Sequence, residues 1–520
     1  MSGTTGRFTM TSRTGMIHFS TALLMILLLA LGFSLPPTAR AQMDDGDITL
    51  AVTNALLNDE GVTGYTIDVE TENGIVTLEG TANNLLAKRR TERIVTTVKG
   101  VKAVINRIEI AETDLTDFTI RENVRDALIY DPATDSWEIE ADVKDHVVTL
   151  TGDVESWQEA QLAEKVVAGI AGVKDVVNNI AVDYVENRPD REIRQEIEEA
   201  LAWDKRIDAA LVEVNVNNSK VNLDGIVGSL AEKREATKTA WVMGVEKVDN
   251  SDLKVESWAR EDRFRKDKYV DKGEEEVEAA VRMALKHHPR VNHENITVDM
   301  DDGIATLSGT VDNVGSKRAA VETARNTVGV WSVKDFIAVR PSTPDDTQIR
   351  ERIENAMEAD ATVESYEIDV EVNEGDVKLS GLVDTYYEKM EAEEVAANTY
   401  GVVEINNNIK VEDSWAPYTW DPYVDDRYVY DYNWYEIPTD IGYSKDDWEL
   451  RREVEDELWW SPFVDRDEIT IHVDNGIVTL TGTVESLGER MKATENALEA
   501  GARAVDNDLN VIYGPEHLLD

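Results

Sequence analysis

The stretch NGIVTLTGTVES, residues 475–486, decides the reading of this chain, because versions of it stand at five other places. NGIVTLEGTANN begins at Asn73, DHVVTLTGDVES at Asp145, NSKVNLDGIVGS at Asn218, DGIATLSGTVDN at Asp302 and EGDVKLSGLVDT at Glu374. Each runs through alternating apolar residues into a glycine: Gly80, Gly152, Gly225, Gly309, Gly381 and Gly482. A second glycine follows 19 or 20 residues later, at Gly100, Gly172, Gly244, Gly329, Gly401 and Gly501. A fixed period of this kind marks a repeated structural unit.

Working outward, the span between the paired glycines reads as a helix. A capping residue sits four positions past the first glycine each time: Asn84, Ser156, Ser229, Asn313, Thr385 and Ser486. Glu159, Glu232, Glu388 and Glu489 follow three positions on and complete a capping box. The second glycine stands where a left-handed helix C-cap is expected. Upstream, TIDVETENGIVTLEG has alternating Ile67, Val69, Val76 and Leu78 around Asn73-Gly74, a hairpin with a positive-φ turn. Downstream, VKDVVNNIAV reads as a third strand that carries an Asn in five copies (Asn106, Asn178, Asn250, Asn407, Asn507) and Asp335 in the fourth. Each copy opens with a helix whose apolar spacing is that of Ile120, Val124, Ala127 and Leu128.

The predicted unit is helix–strand–strand–helix–strand, and two helices over one face of three strands make a two-layer α/β sandwich. The expected fold is therefore α+β, a tandem array of six such αββαβ modules. The strand-closing glycine, capped helix and GV…V.N.I ending, six times in register, resemble the BON domain family of bacterial osmotic-stress and nodulation proteins. The resemblance gives modules at 44–113, 116–184, 189–257, 273–340, 344–412 and 446–514. Copies three and six depart most, with Ser219-Lys220 at the turn and an extra residue before Leu253, and with Glu457 at an apolar position. Residues 258–272 and 413–445 are left as linkers, one charged and one aromatic.

Residues 1–41 read as a cleaved export signal: Arg7 and Arg13, an apolar run from Ala22 to Leu31, then Ala39-Arg40-Ala41. That run is short for a membrane span. Periplasmic residence, or release from the cell, is the expected location. With no cysteine, disulfides, thiol-built metal sites and lipidation at a cleavage-site cysteine are all excluded. The chain carries 53 basic residues against 104 acidic ones, a net charge of −51. Residues 1–41 hold three arginines and no acids, so their removal gives −54. Such a surface repels nucleic acid and favours solubility.

No phosphate loop, nucleophile elbow or zinc-protease motif is present, and no set of polar groups recurs as a catalytic site. His287, His288 and His293 cluster without a known ligand spacing, and Asp299–Ala305 lacks the full oxygen-ligand series and the closing Glu of a calcium loop. The expectation is a protein that is not an enzyme, has no cofactor or small-molecule substrate, and binds no nucleic acid. What the resemblance implies instead is attachment to phospholipid or envelope surfaces in osmotic or envelope stress. Candidate headgroup contacts are Lys88, Arg89, Arg90 and Arg93, Lys317 and Arg318, and Arg263, Arg265, Lys266 and Lys268 in the charged linker. The alternative is a solvated helix surface paired with the many acids. Tyr428, Tyr430, Tyr432 and Trp434, at strand spacing among ten aromatics in 413–445, are candidate protein contacts or pack on their own domains. A periplasmic chaperone or protein-interaction scaffold is the second functional reading.

Overall fold

The computed structural model describes residues 44–134, 139–183, 188–260, 272–301, 303–330, 332–341, 345–411 and 423–424. In the sixth module it describes 447–461, 464, 466–474, 476–484, 489–490, 493–494, 496–497, 500, 502 and 504–511. The export-signal reading falls outside these residues. Among the described residues no helix is long and apolar enough to cross a membrane.

The second module shows how the sequence makes the unit. Helix Asp117–Tyr130 buries Ile120, Val124 and Leu128, one stripe at i, i+4 and i+8. Strands Ile139–Lys144 and Val147–Val154 form an antiparallel hairpin, and strand Asp175–Val182 pairs in parallel with the other edge of Val147–Val154. The crossover is helix Trp157–Ala168, whose cap Ser156 accepts the Glu159 N–H at 3.2 Å. Both helices cover one sheet face, and each module from two to six has its own apolar cluster. The tandem α+β array is present.

Six hairpins need a tight turn. Asn73 and Gly74 have φ of 55° and 77°, Asp145 and His146 of 52° and 65°, Asn218 and Ser219 of 49° and 59°. The third module's turn is thus Asn218-Ser219, one residue earlier than the sequence suggested. In five modules the turn is also held from outside, by a feature the sequence analysis did not identify. The first helix of modules one, two, three and five carries an aspartate whose two oxygens accept both turn N–H groups; the fourth module has Glu274 at that position. Asp117 takes those of Asp145 and His146 at 2.9 Å each, and Asp45, Asp190 and Asp346 repeat the clamp. Asp447 accepts the Gly476 N–H at 2.9 Å in the sixth module. These two N–H groups hold the Asp117 carboxyl below the usual aspartate range.

The strand-closing glycines are obligatory for a steric reason. Gly381 has φ +151°, and a Cβ there would lie 2.0 Å from the Glu367 carbonyl oxygen. Gly80, Gly225, Gly309 and Gly482 meet the same obstacle from the residue fourteen positions back. The second glycine differs from its expected role. The second helix ends at Ala168, before Gly172, and at Thr97, before Gly100. These glycines turn the chain into the third strand, leaving Gly169–Ala171 free to bond elsewhere. The extra residue before Leu253 is a bulge: Lys247 pairs with Lys220, 27 positions back, whereas Leu253 pairs with Gly225, 28 back.

Modules one to five are packed on one another. The cluster of module two takes in Leu85 from module one and Ala359 from module five, and that of module five takes in Val314 from module four. Two junctions use the same short antiparallel bridge. The end of the first helix of one module meets the end of the second helix of another, at Ile170 with Asp360 and at Asp204 with Thr327. The Ala171 N–H donates to Ala359 O at 2.8 Å and Ala361 N–H to Gly169 O at 2.9 Å; Val328 N–H to Trp203 O and Lys205 N–H to Asn326 O repeat the pair.

Candidate functional site

The recurrent Asn of the third strand is where module geometry becomes module contact. Asn178 Oδ1 accepts the Ile180 N–H, while its Nδ2 donates to Ala160 O and to Glu164 Oε2 on the second helix. Asn106 and Asn407 do the same with Glu92 and Glu393. Each glutamate keeps its other oxygen for an arginine of a neighbouring module. Arg89 of module one pairs with Glu164 of module two at 2.7 Å, and Arg234 of module three with Glu92 of module one at 3.3 Å. Arg318 of module four pairs with Glu393 of module five. All three arginines lie nine residues after the strand-closing glycine, and all three glutamates lie twelve after it. The second helices of neighbouring modules therefore join through one donor position and one acceptor position.

Module four tests this logic internally. It has Asp335 where the others have Asn, and Lys317 on the facing helix turn pairs with it at 3.1 Å. The charge that Asp335 introduces is met by a lysine position that modules one, three and five also have, as Lys88, Lys233 and Lys389.

Other contacts complete the five-module body. Arg290 makes two bonds to Asp131 of module two, at 2.9 and 2.8 Å, with both side chains almost wholly buried. Trp157 and Trp241 stack at 5.2 Å with 2° between their planes, and Gln158 donates to the Trp241 carbonyl. Glu60 of module one accepts the N–H groups of Tyr386 and Tyr387 at the start of a module-five helix, where a carboxylate suits the helix dipole. Burial raises the Glu60 pKa against the lowering effect of those bonds. Burial likewise disfavours charge on Glu196, but hydrogen bonds from His287 and Arg188 outweigh it and bring its pKa down.

The candidate headgroup residues lie within this framework. Arg90 is 3% exposed, bonded twice to Asp59 and stacked 4.8 Å from the Tyr387 ring of module five. Arg89, Arg318 and Lys317 are in the pairs described above. Lys88 is half-buried on the same helix, and its carbonyl accepts from Asn106. Arg93 is half-buried against the inter-module cavity. Arg263, Arg265, Lys266 and Lys268 lie outside the described residues, as do Tyr428, Tyr430, Tyr432 and Trp434. The histidines do not converge: His287 bonds to Glu196 at 3.0 Å, while His288 accepts the Arg290 N–H at its Nδ1. Burial, reinforced by Arg290, lowers the His288 pKa to about 3, so it is neutral. Among the described residues no group of three His, Asp or Glu is placed to hold a metal ion.

Where the modules meet they enclose two adjoining cavities of about 470 and 550 Å³. Arg89, Arg93, Lys165, Arg290 and Glu394 line both. The larger has six basic and six acidic residues in its wall, in a chain where acids outnumber bases about two to one. The paired residues that join the second helices were present in the sequence at fixed offsets from the strand-closing glycines, Arg at nine and Glu at twelve.

Comparison with known proteins agrees with the geometry. The BON domain matches residues 44–112, 116–184, 189–257, 273–341, 345–413 and 446–513. Osmotically-inducible protein Y of Escherichia coli (strain K12) is 32% identical over 143 residues, spanning 26% of this chain and 71% of that protein. Two solved structures of CdsD, a structural protein of the type III secretion system of Chlamydia trachomatis, are similar at 15% and 16% identity. They span 42% and 44% of this chain and 92% and 100% of their own, with a TM-score of 0.12 each, too low to bear on arrangement or role.

Proposed function

The chain belongs to the BON domain family, and on that premise we propose that it is a non-enzymatic osmotic-stress protein of the bacterial cell envelope, exported to the periplasm, where it acts as a scaffold for protein partners. The similarity to an osmotically inducible protein supports the stress role. The observation that carries the choice of partner is the use of the basic side chains. Arg89, Arg90, Lys317 and Arg318 are already matched to carboxylates inside the five-module body. Arg90, with its side chain 4% exposed against Asp59, is the most firmly held: freeing a buried partner of such a pair costs about 3–5 kcal/mol, more than the roughly 1 kcal/mol that one base gains at an anionic membrane. The remaining surface is strongly acidic and repels anionic lipid at long range.

Attachment to phospholipid, which the family resemblance implies, is the second reading. Its support is the local excess of bases in residues 258–272, six against four acids. Co-sedimentation of the chain with anionic and zwitterionic liposomes over a salt series separates the two. The scaffold reading predicts no salt-sensitive sedimentation, together with suppressed aggregation of an unfolded probe such as reduced lysozyme. Binding to anionic vesicles that fades with salt, without protection of the probe, would replace it with the lipid reading.

A further inference from the structure

We propose that the smaller of the two adjoining cavities, of about 470 Å³, binds a small soluble oligophosphate, a polyanion whose charges are met by bases of several modules at once. The inference does not depend on whether the whole body serves a protein or a lipid partner. Its first ground is charge. Among the described residues the wall has seven arginines and lysines against five aspartates and glutamates, in a chain whose acids outnumber its bases about two to one. Three of the five acids are held by wall arginines: Glu164 by Arg89, and Asp204 and Glu235 by Arg206. The second ground is the state of His288, which stands in the same wall. Burial first, then the charges of Arg290, Lys238, Lys165 and Arg206, bring its pKa down to about 3. All four of these bases line the cavity, and they come from modules two, three and four. The field that rejects a proton at this point attracts an anion.

The ligand class follows from size and spacing. Contacts from Arg and Lys to phosphate are short and charge-assisted, so a single phosphate engages only a few side chains. Bases drawn from three modules call for several linked phosphates, and the volume lies in the range of sites that enclose a small ligand. Arg290 and Arg318 are fixed by Asp131 and Glu393, which lie outside this wall, so their guanidiniums are in place before a ligand arrives. Lys165 and Lys238 are exposed, and their flexible stems can follow an entering anion. A soluble ion is favoured over a lipid headgroup because the Arg290 side chain is only 11% exposed, recessed between modules where a bilayer surface does not reach. Low-dielectric walls focus the field of these bases inside the cleft, against the acidic surface outside.

The test titrates sodium tripolyphosphate into the full chain, read by calorimetry and by NMR of isotope-labelled methionine methyl groups. Met283 lines the cavity, whereas Met300 is buried in the core of module four and is not part of the wall. The expected result is saturable binding of one ion per chain that shifts Met283 and leaves Met300 in place. Lys165→Gln/Lys238→Gln should weaken it by about tenfold or more. Both lysines are exposed, so the fold should be kept, and the native-chain titration decides the matter even if the variant is unstable. No saturable binding to the native chain, or binding that leaves Met283 unmoved, overturns the proposal. Affinity unchanged by the double substitution does so too, since it marks diffuse adsorption of the ion. Vesicles containing phosphatidic acid should not move Met283; a shift there would reassign the cavity to a lipid phosphate. The titration involves no unfolded probe, so its failure leaves the scaffold reading standing.

Discussion

At the hairpin turns, residue identity and backbone conformation can be compared across copies. Four copies have Gly at the second turn position, Gly74, Gly303, Gly375 and Gly476, whereas His146 and Ser219 adopt φ of 65° and 59° there. A left-handed conformation costs an ordinary residue about 1–2 kcal/mol relative to glycine, less the backbone entropy that glycine loses. Ser219→Gly should therefore raise stability by about 0.5–1 kcal/mol, read from urea denaturation. Gly381→Ala should do the opposite, costing about 3 kcal/mol or more, because its Cβ would meet a backbone oxygen that cannot move without breaking the hairpin. The Asp117 clamp adds a pH dependence. Its folded pKa lies below the unfolded value near 3.8, so its contribution is present above that value and is lost as pH falls through the folded one. An NMR titration of Asp117 should give a midpoint below 3.8, and Asp117→Asn should speed hydrogen exchange at Asp145 and His146. The turns and glycines were legible in the sequence because their constraint is local. The clamp was not, because its partners are 28 residues apart and one Asp among so many acids attracts no notice.

The paired helices carry the inter-module chemistry. Arg290 and Asp131 bury a two-bond ion pair between modules four and two, and removing one partner strands the other charge. Arg290→Ala should cost about 3–5 kcal/mol, and a double-mutant cycle with Asp131→Ala should show strong coupling. The Asn-to-Asp exchange at position 335 makes a contrasting prediction. Asp335→Asn restores the residue that the other copies use and should change stability by less than about 1 kcal/mol, whereas Lys317→Met should destabilise by leaving Asp335 unpaired. Thermal denaturation of the two variants checks the contrast. The ends of the second helices fell short of the second glycine, but their starts could be read from their caps and the strands from alternation. Which arginine would meet which glutamate could not, since both partners of each pair lie on amphipathic faces that look solvated in any one copy.

Five modules joined through equivalent helix positions form one body, while a single module would be only a small sandwich with a modest core. The sequence analysis recovered the six units but not this packing, because the contacts connect copies in an order that repetition does not specify. The helix ion pairs join three to one to two, and four to five, while the bridges join two to five and three to four. The same packing turns Arg89, Arg90 and Arg318 from candidate surface contacts into interior ones, and it creates the cavities that no single module contains. The chain has no native cysteine, so spin labels can be placed at Leu57→Cys in module one and Tyr366→Cys in module five, both exposed positions. Electron–electron double resonance on the full chain should give one narrow distance distribution. It should broaden when Arg90→Ala and Arg318→Ala remove the charges that join modules one and four to module five. A broad distribution in the native chain would contradict the five-module body and return the protein to a string of independent domains.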